Sequence, residues 1–184
     1  MSSKPDMRRS DKVMSDAKVN KMLDSGYYGQ LATVDANHHP YICPLLYVRR
    51  DDRIWLHNSR SPGHLRQNLR ENSNACFSIA EPGYVFSYGR FECDTSIAYK
   101  SIIVFGKIDI VESRRNKESF FESLMAKYSP SDSSRPKNFF PRLDDTTVYS
   151  MSMDRVTGKE TSLPAIPELW PITDNTKSPN TQGP

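Results

Sequence analysis

Two kinds of apolar spacing alternate along this chain. In SDAKVNKMLDSG, from Ser15, the residues Val19, Met22 and Leu23 share one helical face, and Gly26 supplies a stop. A second helical stripe follows Ser113, which is placed to cap it; there Phe120, Phe121, Leu124, Met125 and Tyr128 line up. A shorter helix is predicted from Ser61, with Pro62 at its first position and Leu65 and Leu69 on its buried side.

The segments between read as strands. YYGQLATVD (27–35) and YICPLLYVRR (41–50), joined by ANHHP, form a hairpin pattern that lacks an Asn-Gly type of turn. In 41–50 Tyr41, Cys43, Leu45 and Tyr47 fall on one face and Ile42, Leu46 and Val48 on the other, which predicts a strand covered on both sides. RIWLHNS follows the turn at Asp51-Asp52, and NACFSIAE (74–81) is a strand that Pro82-Gly83 breaks before YVFSYGRFE. The longest signal is IAYKSIIVFGKIDIVE (97–112), where Ile102, Val104, Ile108 and Ile110 share a face and Gly106 marks a bulge or a close backbone approach. A final strand lies near 147–157.

About seven strands with few crossover helices predict a mainly antiparallel sheet that closes into a barrel, flanked by two or three helices. Residues 1–12 read as a loose arm, 13–160 as the barrel domain and 161–184 as a proline-rich tail. That tail carries Pro164, Pro167, Pro171, Pro179 and Pro184, with Leu169, Trp170 and Ile172 as candidate anchors.

Composition changes this picture only at its edges. With 184 residues, 36% hydrophobic and 26% charged, the chain suits one soluble domain. No apolar run reaches the roughly 20 residues that span a bilayer, and no signal core follows the N-terminus, so the expected location is cytoplasmic with no membrane partner. Cys43, Cys76 and Cys93 are odd in number with no CxxC pair, against a disulfide scaffold. Cys43 and Cys76 fall in strand patterns, while Cys93 sits in a loop. A net charge of +3, with basic pairs scattered among acids, gives no stripe for nucleic acid. The four histidines lack companion cysteines or a His-x-x-x-His spacing, so no metal site is expected.

The candidate chemistry gathers where IWLHNS passes into SPGHLRQNLREN. His57, Asn58, Ser59, Arg60, His64 and Arg66 crowd one strand-to-helix junction. One reading is a capped surface helix. The other is an anion site, because free N–H groups at a helix start carry partial positive charge and the side chains around this one can donate to phosphate oxygens.

The order LATVDANHHPYICPLLYV, IWLHNSRSPGHLRQNLRENSNACFSI, CDTSIAYKSIIVFGKIDIVE resembles the flavin-binding split-barrel proteins of the pyridoxamine 5′-phosphate oxidase-like superfamily. The branch it is most similar to includes nitroimidazole-resistance proteins. The opening MRRSDK and the pattern Tyr99-x-Ser101-x-x-x-x-Gly106 share that likeness, which covers roughly residues 7–128 and, more loosely, the strand near 150. The resemblance implies a six-stranded split barrel, hence six to seven strands in all, and a homodimer with two FMN sites at its interface. It places Pro44, Leu45, Leu46 and Tyr47 along the flavin ring and His57, Asn58 and Ser59, with the start of the next helix, at the ribityl chain and phosphate. Tyr99, Lys100 and Ser101 would lie close to the cofactor. Many relatives carry a lysine just after the glycine where this chain has Gly63-His64; His64 and Arg66 are the candidates to replace it.

The expected activity is electron transfer by bound FMN from NAD(P)H to a small acceptor, with no catalytic side chain named. The alternatives are a haem-binding or haem-degrading protein, with His57 or His64 as axial ligand, and a flavin-binding module without turnover. A serine hydrolase is not supported, since no Gly-x-Ser-x-Gly elbow is present.

Overall fold

The computed structural model describes residues 7–89, 91–129, 134 and 136–164. The anchors proposed at Leu169, Trp170 and Ile172, with Pro167, Pro171, Pro179 and Pro184, lie outside the described residues.

The helix from Ser15 forms as its spacing predicts. Helix α1 (Asp16–Ser25) is capped by Ser15, whose hydroxyl accepts from the Lys18 N–H, and it buries Met22 and Leu23. Strands β1 (Gly29–Val34) and β2 (Pro40–Leu45) pair antiparallel as the expected hairpin. The Asn-Gly signal is missing because Asp35 organises the turn instead. Its carboxylate accepts the Asn37 and His39 N–H groups at 2.8 Å each, which leaves His38 at φ 65°. The His39 backbone bond is also the main cause that holds the Asp35 pKa down.

The strand predicted over 41–50 is two strands. After β2 the chain leaves the ladder at Leu46 and enters β3 (Tyr47–Arg50), which pairs with β4 (Arg53–Ser59) in a different part of the sheet. Asp51 and Asp52, at φ 52° and 53°, make the tight turn between them. Nor is β2 covered on two sides. Tyr41, Cys43 and Leu45 pack on the core, while Ile42 is 60% and Leu46 38% exposed.

Next come α2 (His64–Glu71) and β5 (Asn74–Ser87). Pro82-Gly83 does not end β5. The strand runs through them with a register shift between Pro82 and Val85, where a bulge accommodates the proline's missing N–H. Strand β6 (Thr95–Val111) is the spine of the sheet, and α3 (Arg114–Tyr128) follows it. The final strand near 147–157 is likewise two, β7 (Thr146–Ser152) and β8 (Arg155–Thr161), laid end to end along one edge of β6.

The sheet order is β2-β1-β5-β6-β7-β4-β3, with β8 also on β6. All pairings are antiparallel, and β2 and β3, the two ends of the order, do not pair. The architecture is a mainly β, antiparallel split barrel with flanking helices, of eight strands where six to seven were predicted, because two long runs each divide and the two segments around Pro82-Gly83 merge into β5. Gly106 stands at the corner where β6 passes from β8 to β7. A Cβ there would lie 1.9 Å from the Ser152 carbonyl oxygen, so the close approach predicted for this glycine is present.

Two cores result. Inside the barrel Leu31, Tyr47, Leu56, Phe77, Ile102 and Tyr149 are fully buried; Tyr47 donates its hydroxyl proton to Leu23 O at 2.7 Å. Outside it, α3 lays Phe120 and Leu124 on Val48, Trp55 and Val148. Burial of each such side chain contributes about 1.5–3 kcal/mol.

Candidate functional site

The alternation of β4 divides the junction. Trp55 and His57 point outward under α3, where the His57 ring lies 5.6 Å from Phe120 and 5.2 Å from Phe121. Burial pushes the His57 pKa down, and its Nδ1 is buried with no hydrogen-bond partner. His57 is therefore packed against the aromatic face of a helix, on the opposite side of β4 from Asn58. Its parity with Trp55 is the sequence signal for this.

Asn58 points the other way, into the mouth of the barrel, and accepts the Tyr149 hydroxyl proton at 3.0 Å. Burial raises the Tyr149 pKa, against the Asn58 bond and the nearby Arg66 charge that lower it. Ser59 is taken up locally, accepting from the Ser61 N–H. Arg60 ties the junction to the loop before β7: its N–H donates to Asp145 O at 2.9 Å and its guanidinium to Asp144 O at 3.1 Å. Arg66 donates to Arg60 O at 2.8 Å.

Ser61 is not the cap of α2. The helix begins at His64, Gly63 occupies the cap position in an extended conformation, and no side chain accepts from the first-turn N–H groups. A Cβ on Gly63 would meet nothing within 4 Å, so the helix start faces open space. His64 lies on that start and stacks on Tyr41 of β2, with ring centroids 5.2 Å apart and planes 22° from parallel. The contact joins the helix start to the edge strand. Asn68, buried one turn further on, donates to Thr33 Oγ1 at 3.0 Å and fixes α2 against β1.

A cavity of about 260 Å³ opens beside Arg60 and Arg66. Lys117, Thr146 and Thr147 also line it, as do the carboxylates of Glu112 and Asp144, so three cations meet two acids. Tyr41, Lys117, Thr147 and Tyr149 were not singled out from the sequence. Only Tyr41 left a signal there, as the outermost inward residue of β2.

The remaining predicted residues divide into two groups. Pro44 and Leu46 are exposed along the β2 edge and Leu45 is half-buried, forming an apolar border beside the split. Tyr47 contributes only its backbone, because its ring is in the core; its N–H and carbonyl both bond the Tyr128 hydroxyl, at 3.3 and 2.9 Å. Tyr99, Lys100 and Ser101 lie at the far end of β6, roughly 30 Å along the strand from the end near α2. Within one chain they do not join the junction. Lys100 is also on the opposite face from Tyr99 and Ser101, in line with the inward-facing Ile102 and Val104.

Among the described residues, no group of three or more His, Cys, Asp or Glu is placed to hold a metal ion, and no helix is long and apolar enough to cross a membrane.

A split barrel with a donor-rich helix start beside an open edge strand is the class of fold, and the comparisons give its family. The sequence profile of the pyridoxamine 5′-phosphate oxidase family matches residues 15–160, and the chain belongs to that family. No curated protein matches the sequence. Among solved structures, a flavocytochrome from Azotobacter vinelandii aligns at TM-score 0.73 and 18% identity over 86% of this chain and 73% of its own. A FAD- and haem-binding protein from Mycobacterium smegmatis aligns at 0.68 and 22%, over 80% and 71%. A protein assigned to 5-nitroimidazole antibiotic resistance in Bacteroides thetaiotaomicron aligns at 0.66 and 19%, over 80% and 85%. These likenesses establish the fold.

Proposed function

We propose that the chain binds a flavin, FMN, with its phosphate at the start of α2, and that it works as a homodimeric oxidoreductase passing electrons from NAD(P)H to a small acceptor. The observation that carries the reading is the open start of α2. Its N–H groups have no side-chain acceptor, Gly63 leaves room before them, and Arg60, His64 and Arg66 all stand within three residues of Gly63 along the chain. A phosphate fits that donor set: the backbone N–H groups and the guanidinium groups offer several charge-assisted hydrogen bonds at one point. Family membership over residues 15–160 and the flavin named in two of the structural neighbours support the choice of ligand.

The residues then divide the work. Arg66 and His64 hold the phosphate, and Arg60 steadies the loop through Asp144 and Asp145. Pro44, Leu45 and Leu46 give an apolar wall, and the backbone of Tyr47 is held in place by Tyr128. When bound, the flavin supplies the redox chemistry, taking up a hydride and releasing electrons to the acceptor. The chain binds, orients and excludes water. Tyr99 and Ser101 would reach a cofactor only from a second subunit, and the exposed Ile42 of β2 and Leu46 just after it are apolar surface that such a subunit would cover. Lys100 faces away from them and is left out of the cofactor set.

Haem is the second reading, since haem stands in the name of one neighbour. His57 is enclosed by Phe120 and Phe121, so an axial ligand would fall to His64. The absorption spectrum of the purified chain separates the two: flavin bands in the blue for the first, a Soret band for the second. Steady oxidation of NAD(P)H by the FMN-loaded chain is expected. Binding of FMN without turnover with any acceptor would leave a flavin-binding module and refute the enzyme.

A further inference from the structure

The far end of the barrel, away from α2, carries a second cleft. Glu81 of β5, Lys100 of β6 and Glu160 of β8 lie directly opposite one another in register and form a charged row across three strands. Helix α1 lies over this row and adds Lys18 and Lys21. An open cleft of about 430 Å³ lies between them, and a second of about 290 Å³ adjoins it, sharing Glu81, Lys100, Glu160 and Ser162. The larger falls within the size range of small-molecule sites.

Its floor is apolar. Met14 and Met22, both in the barrel core, line the larger cavity, while Pro82 and Ala98 line the smaller. Its polar groups are unevenly committed. Lys18 forms an ion pair with Glu160 across the cleft, which neutralises one of the two acids. Lys21 and Lys100 form no ion pair among the described residues, and Glu81 is the remaining carboxylate. Thr161, on the wall of the smaller cavity, has its Oγ1 buried with no hydrogen-bond partner. Three ammonium groups against two carboxylates leave the larger cavity one positive charge in excess.

A charged row on a solvated face would account for the residues, but not for the helix roofing them over a methionine floor. We propose that this cleft is a second ligand site, which takes a small organic anion with an apolar body. The anion meets Lys21 and Lys100, and the body lies on Met14 and Met22. The Lys18–Glu160 pair fixes the distance between α1 and β8 and keeps Glu160 from repelling the ligand. Within one chain the site is a long strand away from the α2 junction, and Lys100 faces away from the Tyr99 and Ser101 side that a second subunit would bring to the cofactor.

Phenyl phosphate is a suitable probe, titrated calorimetrically into the full chain. With FMN filling the start of α2, saturable binding with one site per chain is expected, tighter than that of inorganic phosphate because of the apolar floor. Lys21→Gln with Lys100→Gln should weaken it at least tenfold; both residues are exposed, and the melting temperature reports that the fold is kept. Glu81→Gln should tighten it. Arg60→Ala with Arg66→Ala, and saturating FMN, should leave it unchanged. No saturable binding, equal affinity in the double lysine variant, or displacement by FMN would each overturn the proposal. Displacement by FMN would assign the anion to the cofactor's own socket, whereas retained phenyl phosphate binding in a chain that fails to bind FMN would sink the flavin reading and leave this one standing.

Discussion

Helices α3 and α2 each follow directly on a strand of the barrel, yet their starts are built differently. Ser113 caps α3 and accepts from the Asn116 N–H, and the helix then buries Phe120 and Leu124 on the outer face of β3, β4 and β7. At α2 the cap position is a glycine, and the serine that the sequence offers, Ser61, stands two residues too early. One start is satisfied by the chain itself. The other keeps its donors available, and two arginines and a histidine stand within three residues of its cap position. The same local physics, unpaired N–H groups at a helix end, thus serves stability in one place and, in the function proposed above, recognition in the other.

That contrast can be broken from either side. Replacing Arg60, His64 and Arg66 together by alanine should lower FMN affinity roughly a hundredfold, about 3 kcal/mol, while the unfolding midpoint stays nearly constant; fluorescence titration and thermal melts read the two quantities. Ser113→Ala should do the reverse. It removes the cap of α3 at a cost of about 1 kcal/mol in chemical unfolding and leaves FMN affinity alone.

His57, wedged beneath α3, gives the comparison a pH dependence. Burial lowers its pKa, so below about 6.5 the unfolded chain takes up a proton that the folded chain refuses. Stability should be fully present above that pH and fall as the pH drops towards the folded pKa. His57→Phe should flatten this slope, measured as Tm from pH 7 to 5. An unchanged slope would mean that the ring is not enclosed as described.

The smallest expected effect is the most pointed. Gly63→Ser fits the open space before α2 and supplies the missing cap, so it should stabilise the chain by a few tenths of a kcal/mol. It should also weaken FMN, because the new hydroxyl competes for the same N–H groups. Unaltered affinity would separate the cofactor from the helix start.

The sequence carried those features whose cause is local. The faces of α1, α3 and β6 are readable because periodicity, a serine cap and a stop glycine agree, and Gly106 is where a side chain cannot be accommodated. The division of 41–50 at Leu46 was not readable. Apolar residues on both faces predict cover on both sides, but Ile42 and Leu46 have no cover within one chain. Pro82 misled for a similar reason, since a bulge tolerates a residue that a regular ladder does not. At the site, the donor-rich junction was visible as composition. The outward turn of His57 and the opposite facing of Lys100 and Tyr99 follow from strand alternation, which the sequence holds, whereas the stacking of His64 on Tyr41 depends on tertiary contact, which residue types in a row do not convey.

The most direct test of the account is a crystal structure of the chain grown with FMN. It should show the phosphate at the N-terminus of α2, within hydrogen-bonding distance of the first-turn N–H groups and of Arg66, with the ring along β2. A phosphate bound anywhere else, or the start of α2 left to water alone, would contradict it.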